Sequence, residues 1–175
     1  IPESVKRIAD RAFQYCKSLT SVTIPAGVTK IDYEAFYYCT SLQSVTIPAG
    51  VKKIGESAFA YCTSLQSVTI PESVTKIGDI AFWGCESLQS VTIPESVTKI
   101  GKEAFEGCAN LQSVIIPESI KEIIKPIGDS NLALIALHIP ISNFSASDKP
   151  CACAGFAQAY LDGAYLDEEI KAGYL

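Results

Sequence analysis

The sequence predicts an α/β repeat solenoid, on three observations: a self-match at a fixed 23-residue offset, an Ile-Pro pair that opens every copy, and two apolar periods that alternate within each copy. Six copies begin at Ile1, Ile24, Ile47, Ile70, Ile93 and Ile116, and a seventh Ile-Pro at Ile139 opens a divergent tail. The third, fourth and fifth copies read IPAGVKKIGESAFAYCTSLQSVT, IPESVTKIGDIAFWGCESLQSVT and IPESVTKIGKEAFEGCANLQSVI. A unit this short cannot bury its own apolar side chains, so successive copies must stack and share one interior. With parallel strands about 4.8 Å apart, six copies would make a rod or arc ~30 Å long.

Each element within a copy follows from its residues. Leu42, Val45 and Ile47 alternate at the end of the run with polar residues, and Val, Thr and Ile favour a pleated surface, so residues 44–47 read as a short strand of a parallel sheet. Pro25, Pro48, Pro71 and Pro94 then end the pairing on each strand, because proline has no N–H for a ladder. Residues 51–54 are a candidate second strand. Ala58, Phe59, Cys62 and Leu65 are spaced as on a helix, which predicts one or two turns of α or 3-10 helix packed inward on the side opposite the sheet.

The pattern decays toward the C-terminus. Pro126 and Gly128 fall where Glu103 and Phe105 sit one copy earlier, and Asn131 replaces the repeated Cys. Residues 141–150 read as a loop, and the two stretches beyond read as helices, the first closed by Gly163 and the second opened by Asp167. The expected organisation is a solenoid over residues 1–140, its last repeat degenerate, and a loop plus helical C-terminal cap over residues 141–175.

Composition narrows the function classes. Net charge is −5 and the sequence pI is near 4.9, with 14 acids and 12 bases in residues 1–138 and 5 acids and 2 bases in residues 139–175. Nucleic-acid binding needs a basic field that this chain lacks. No apolar run is long enough to span a bilayer, so membrane insertion is not expected. The chain starts mid-pattern and contains no Met, so its natural start is expected to lie upstream.

The run Leu-x-x-Val-x-Ile-Pro followed by Val-x-x-Ile-Gly-x-x-Ala-Phe-x-x-Cys closely resembles the BspA-like class of leucine-rich repeats, well over residues 1–123 and weakly over residues 124–140. The resemblance implies a curved leucine-rich-repeat solenoid. It also implies a surface or secreted protein of anaerobic or gut bacteria that adheres to host proteins or to other cells. The helical tail is similar to segments that follow such repeats in gut Firmicute proteins, some of them intracellular, which keeps a cytoplasmic location as the alternative.

Cys16, Cys39, Cys62, Cys85 and Cys108 fill one slot in five copies and are expected to form a column of free buried thiols, since parallel stacking points the side chains the same way. Cys151, Cys153 and His138 are too few ligands for a closed zinc site, and His138 has no triad partners, so neither metal, cofactor nor enzymatic activity is expected. Two surfaces are candidate binding sites. The first is the outward strand face, with Gln43, Gln66 and Gln89, Ser44, Ser67 and Ser90, and Thr46, Thr69 and Thr92, where Ile115 breaks the Thr column; plain solvation of a parallel sheet explains the same residues. The second is the face just before the Cys slot, where stacking aligns Tyr37 with Trp83 across Ala60 and Tyr38 with Tyr61; rings lying flat over neighbouring turns is the plainer reading. A basic column at Arg7, Lys30, Lys53, Lys76 and Lys99, near acids at Glu3, Glu72, Glu95 and Glu118, reads as a solvated edge. The expected function is a non-catalytic protein-interaction or adhesion module of a larger bacterial protein. A purely structural spacer and an intracellular interaction module are the alternatives.

Overall fold

The computed structural model describes residues 1–115, 117, 119–120 and 122–123. Among them the chain forms eleven short strands, β1 (Arg7–Ile8), β2 (Ser21–Thr23), β3 (Lys30–Ile31), β4 (Ser44–Thr46), β5 (Lys53–Ile54), β6 (Ser67–Thr69), β7 (Lys76–Ile77), β8 (Ser90–Thr92), β9 (Lys99–Ile100), β10 (Ser113–Ile115) and β11 (Glu122–Ile123). The odd strands build a six-stranded sheet and the even strands a five-stranded sheet, each in the order of the copies. All pairings are parallel and join equivalent residues, Arg7 to Lys30, Ile31 to Ile54, Val22 to Val45 and Val45 to Val68. One copy is therefore one coil of a parallel solenoid, and the candidate second strand is real: there are two sheets where one was expected.

The interior consists of columns. Phe13, Phe36, Phe59, Phe82 and Phe105 stack ring on ring, with centroids 5.0, 5.1, 5.4 and 5.3 Å apart and planes within 4° of parallel. That spacing is slightly above the strand repeat, as offset stacking of one ring per coil requires. Beside them lie columns of Leu42, Leu65 and Leu88 and of Ile31, Ile54, Ile77 and Ile100, all fully buried. The thiols behave as expected: among the described residues the cysteines are free, Cys16 half-buried and Cys39, Cys62, Cys85 and Cys108 buried. Cys62, Cys85 and Cys108 each donate to the carbonyl of the Phe one coil back, Phe36, Phe59 and Phe82, at 3.3 Å. Burial pushes the Cys108 thiol up to about 12 and that of Cys85 well above its ordinary value, and at Cys62 the hydrogen bond with Cys39, then burial, does the same, so these side chains are packing units.

The expected helical turns are absent among the described residues. In the segment before each Cys, alternate amides go different ways: Glu34, Phe36 and Tyr38 donate to Glu56, Ala58 and Ala60 of the next coil, whereas Tyr37 and Cys39 donate three residues back to Glu34 and Phe36. Residues with left-handed φ interrupt the chain twice per coil, at Glu34 (52°) and Tyr38 (60°), Ser57 (53°) and Tyr61 (60°), Ile80 (47°) and Gly84 (67°), and Glu103 (54°) and Gly107 (73°). A helix needs every amide bonded within itself, so this segment is a run of tight turns. Turns of three to four residues return Ala58, Phe59, Cys62 and Leu65 to the interior at the interval a helix would, which is why the spacing imitated one.

Glycine matters most where coils approach. A Cβ at Gly78 would lie 2.6 Å from backbone atoms of Gly55 and Glu56, so neighbouring coils pass with no room for a side chain. The expected boundary at residue 140, the loop and helical cap of residues 141–175, His138, Cys151 and Cys153 lie outside the described residues. Among the described residues no helix is long and apolar enough to cross a membrane, and no group of three or more His, Cys, Asp or Glu side chains gathers to hold a metal ion.

Candidate functional site

The strand face carries its predicted residues outward. Val45, Val68 and Val91 are buried, while Gln43, Ser44, Thr46, Gln66, Ser67, Thr69, Gln89, Ser90 and Thr92 are exposed, and Gln66 donates its backbone N–H to the Gln43 carbonyl at 2.9 Å. Ile115 lies in β10 opposite Thr92. The result is a polar surface repeated coil after coil.

The turn face is built differently. Left-handed φ at Tyr38 and Tyr61 turns these rings outward, and they meet at 4.3 Å between centroids. Tyr61 also lies edge-on to Tyr37, at 5.7 Å and 90°, and to Trp83, at 4.5 Å and 78°. Stacking thus brings the four predicted aromatics into one cluster, in the alignment across Ala60 that was expected. Tyr37, Tyr61 and Trp83 line one groove of about 480 Å³, with the buried Ala60 among its lining residues. At the next coil Gly84 takes the Tyr61 slot, and a Cβ there would come within 3.3 Å of the Tyr61 ring. The four rings are half-buried. Burial pushes the Tyr37 and Tyr61 phenols up, so both remain neutral.

Two contributors escaped the sequence reading. Tyr15, in the Tyr38 slot of the first coil, is 56% exposed and packs on Tyr37 and Tyr38 at 5.7 and 5.6 Å; the repeat alignment that paired Tyr38 with Tyr61 contains it. Four glutamates, Glu34, Glu56, Glu103 and Glu106, also line the groove. Burial disfavours charge at Glu34, but hydrogen bonds from Tyr33 and Arg11 outweigh it and hold that carboxyl below the ordinary range.

The basic column is aligned in register, Arg7 to Lys30 to Lys53 to Lys76 to Lys99. The acid that pairs with its first two members is the buried Asp32, which bridges Arg7 and, at 2.9 Å, Lys30.

The BspA type leucine rich repeat region matches residues 1–93, in six copies. The chain belongs to this family. Solved relatives agree with the coil geometry. A leucine rich cell surface protein of Faecalibacterium prausnitzii A2-165 is 45% identical with a TM-score of 0.60, over 63% of this chain and 29% of that one. The leucine rich repeat protein of T. pallidum is 32% identical with a TM-score of 0.65, over 73% of this chain and 68% of that one. A leucine-rich repeat protein of Bacteroides ovatus is 30% identical with a TM-score of 0.59, over 79% of this chain and 48% of that one. The chain thus corresponds to less than a third of the Faecalibacterium protein. No curated protein of known function matches it.

Proposed function

We propose that this BspA-type chain is a non-catalytic protein-interaction module that meets its partner through the aromatic turn face, as part of a larger bacterial protein at the cell surface or secreted. One observation carries the reading: five aromatic side chains, Tyr15, Tyr37, Tyr38, Tyr61 and Trp83, cluster outside an interior that the Phe column already fills. Aromatics of this kind dominate the energetics of protein interfaces. Ring-to-ring contacts fix them before any partner arrives, so little conformational freedom is lost on association. The surface location is supported by the Faecalibacterium relative, a leucine rich cell surface protein.

The test is biolayer interferometry of the chain against purified extracellular-matrix, mucin and bacterial surface proteins, repeated with Trp83→Arg on the turn face and Thr69→Arg on the strand face. Trp83→Arg is expected to weaken a bound partner by at least about tenfold, and Thr69→Arg to leave it unchanged. Sensitivity to Thr69→Arg alone would move the site to the strand face. Indifference to both would make the chain a spacer.

A further inference from the structure

The chemistry of the groove beside Ala60 narrows the partner. Its small buried members are Ala60 and Ser57, 1% and 3% exposed, and the Tyr37, Tyr61 and Trp83 rings flank them. Tyr37 and Trp83 belong to coils two steps apart, and the Tyr61 ring stands edge-on to both at 5.7 and 4.5 Å, so the three rings form one aromatic wall of the groove over the buried Ala60. The glutamates named above add four carboxylates to the same lining, and no Lys or Arg lines it. Lys102 sits 3.0 Å from Glu103, and Arg11 sits 2.7 Å from Glu34, so the charge at these two members is partly balanced. No cation pairs with Glu56 among the described residues, and Glu106 has only the longer-range attraction of Lys102.

The molecule already shows what such a surface holds. The Arg11 guanidinium lies 5.1 Å from the centre of the Tyr33 ring while its Nε donates to Glu34. A ring for the delocalised cation and a carboxylate for the N–H fork is the combination that suits arginine. Tyr33 and Glu34 are members of the groove, and further along it Tyr37, Tyr61 and Trp83 share the lining with Glu56 and Glu106 and no arginine.

We infer that the groove receives an arginine side chain from a basic segment of the partner protein, its guanidinium against the wall formed by the Tyr37, Tyr61 and Trp83 rings and its N–H groups toward Glu56 and Glu106. The inference rests on the turn-face reading and adds the partner's chemistry to it.

Trp83 is the single tryptophan of the chain, so its emission reports on the groove directly. An acetylated, amidated tri-arginine peptide titrated into the full chain should shift that emission saturably, and tri-citrulline of the same length, which lacks the charge, should not. Ala60→Leu adds bulk beneath the aromatic wall and displaces its rings, which should weaken the arginine response at least about tenfold, and Glu56→Gln should weaken it less. Unchanged thermal unfolding of both variants keeps these losses specific. An equal response in Ala60→Leu, or an equal response to tri-citrulline, overturns the inference. So does a partner from the interferometry panel that is lost in Trp83→Arg yet is not displaced by saturating tri-arginine, in which case the turn-face reading stands and only the arginine is wrong.

Discussion

The strand face and the turn face are generated by the same 23-residue step, yet they repeat different things. Along the strand face each column keeps one residue: Ser44, Ser67 and Ser90, or Thr46, Thr69 and Thr92. Along the turn face one column runs Gln14, Tyr37, Ala60, Trp83 and Glu106. A strand position pairs directly with its equivalent in the next coil, so any change there must suit the neighbours on both sides. A turn position projects beyond the ladder, and a change there alters surface shape while leaving the stack intact. The fold is thus written in what the coils share, and a binding site in where they differ.

The largest effect that could break this comparison comes from deletion. Removing residues 47–69 takes out one whole coil; the Phe, Cys and strand columns close up in register, so cooperative unfolding in urea should persist. The same deletion removes Ala60 and Tyr61, so the tri-arginine response should vanish. Removing residues 47–58 instead shifts the later columns out of line, and no cooperative transition should remain. Equal loss in both deletions would mean that coil identity does not govern the fold.

A smaller effect separates the two kinds of aromatic. Phe59 is fully buried between Phe36 and Phe82, and Phe59→Ala should cost about 3–5 kcal/mol in urea denaturation. Trp83 is half-buried at the surface, and Trp83→Ala should cost about 1 kcal/mol. Comparable losses would assign the surface rings to structure and remove the reason to read them as a binding face.

A great deal of this division was legible in the residues. Exact recurrence placed Leu42, Val45 and Ile47 inside and Ser44 and Thr46 outside, because a parallel stack in register leaves one choice of face. It aligned Tyr37 with Trp83 across Ala60 for the same reason. Helical turns were expected because Phe59, Cys62 and Leu65 recur at three-residue steps, and apolar spacing records only when the chain returns inward, not the sign of φ at Ser57 and Tyr61 between those returns. The glutamates of the groove were out of reach for a further reason: Glu56 and Glu106 lie on different coils and at different slots, and only coordinates show that they border one hollow. Asp32 was hidden similarly, occupying a slot that is Gly55, Gly78 and Gly101 in later coils.

That Asp32 position gives a modest pH effect, a third departure from uniformity that belongs to neither face. Burial opposes its charge, but hydrogen bonds from Arg7 and Lys30 outweigh burial and hold its carboxyl below the ordinary range. A lowered folded-state value means that ionised Asp32 contributes stability that is fully present above its unfolded value, about 4, and is lost as the pH falls through the folded value. Arg7 and Lys30 are half exposed, so solvent screens the pair and the contribution is small. Asp32→Asn should flatten the acid limb of stability below about pH 4 and change little at neutral pH. An unchanged limb in thermal unfolding would show that other carboxylates set it.

The last expected effect has the opposite sign. Ile80 holds φ at 47°, a conformation that a β-branched residue adopts only under strain, and the equivalent slots carry Glu34, Ser57 and Glu103 at similar angles. Nothing in the repeat requires an apolar side chain there, since four other coils fold with polar ones, Arg11 at 59° included. Asn tolerates the left-handed region better, so Ile80→Asn should relieve backbone strain and lose some half-buried apolar surface, with a net gain of about 1 kcal/mol at the urea midpoint. Ile80 also lines the groove, between Ser57 and Glu103 in its column. If a strained residue persists because the groove needs its apolar wall, the stabilised variant should bind tri-arginine more weakly than the native chain. A gain in stability with unchanged binding would separate Ile80 from the site, and a loss of stability would show that its side-chain contacts outweigh the backbone strain.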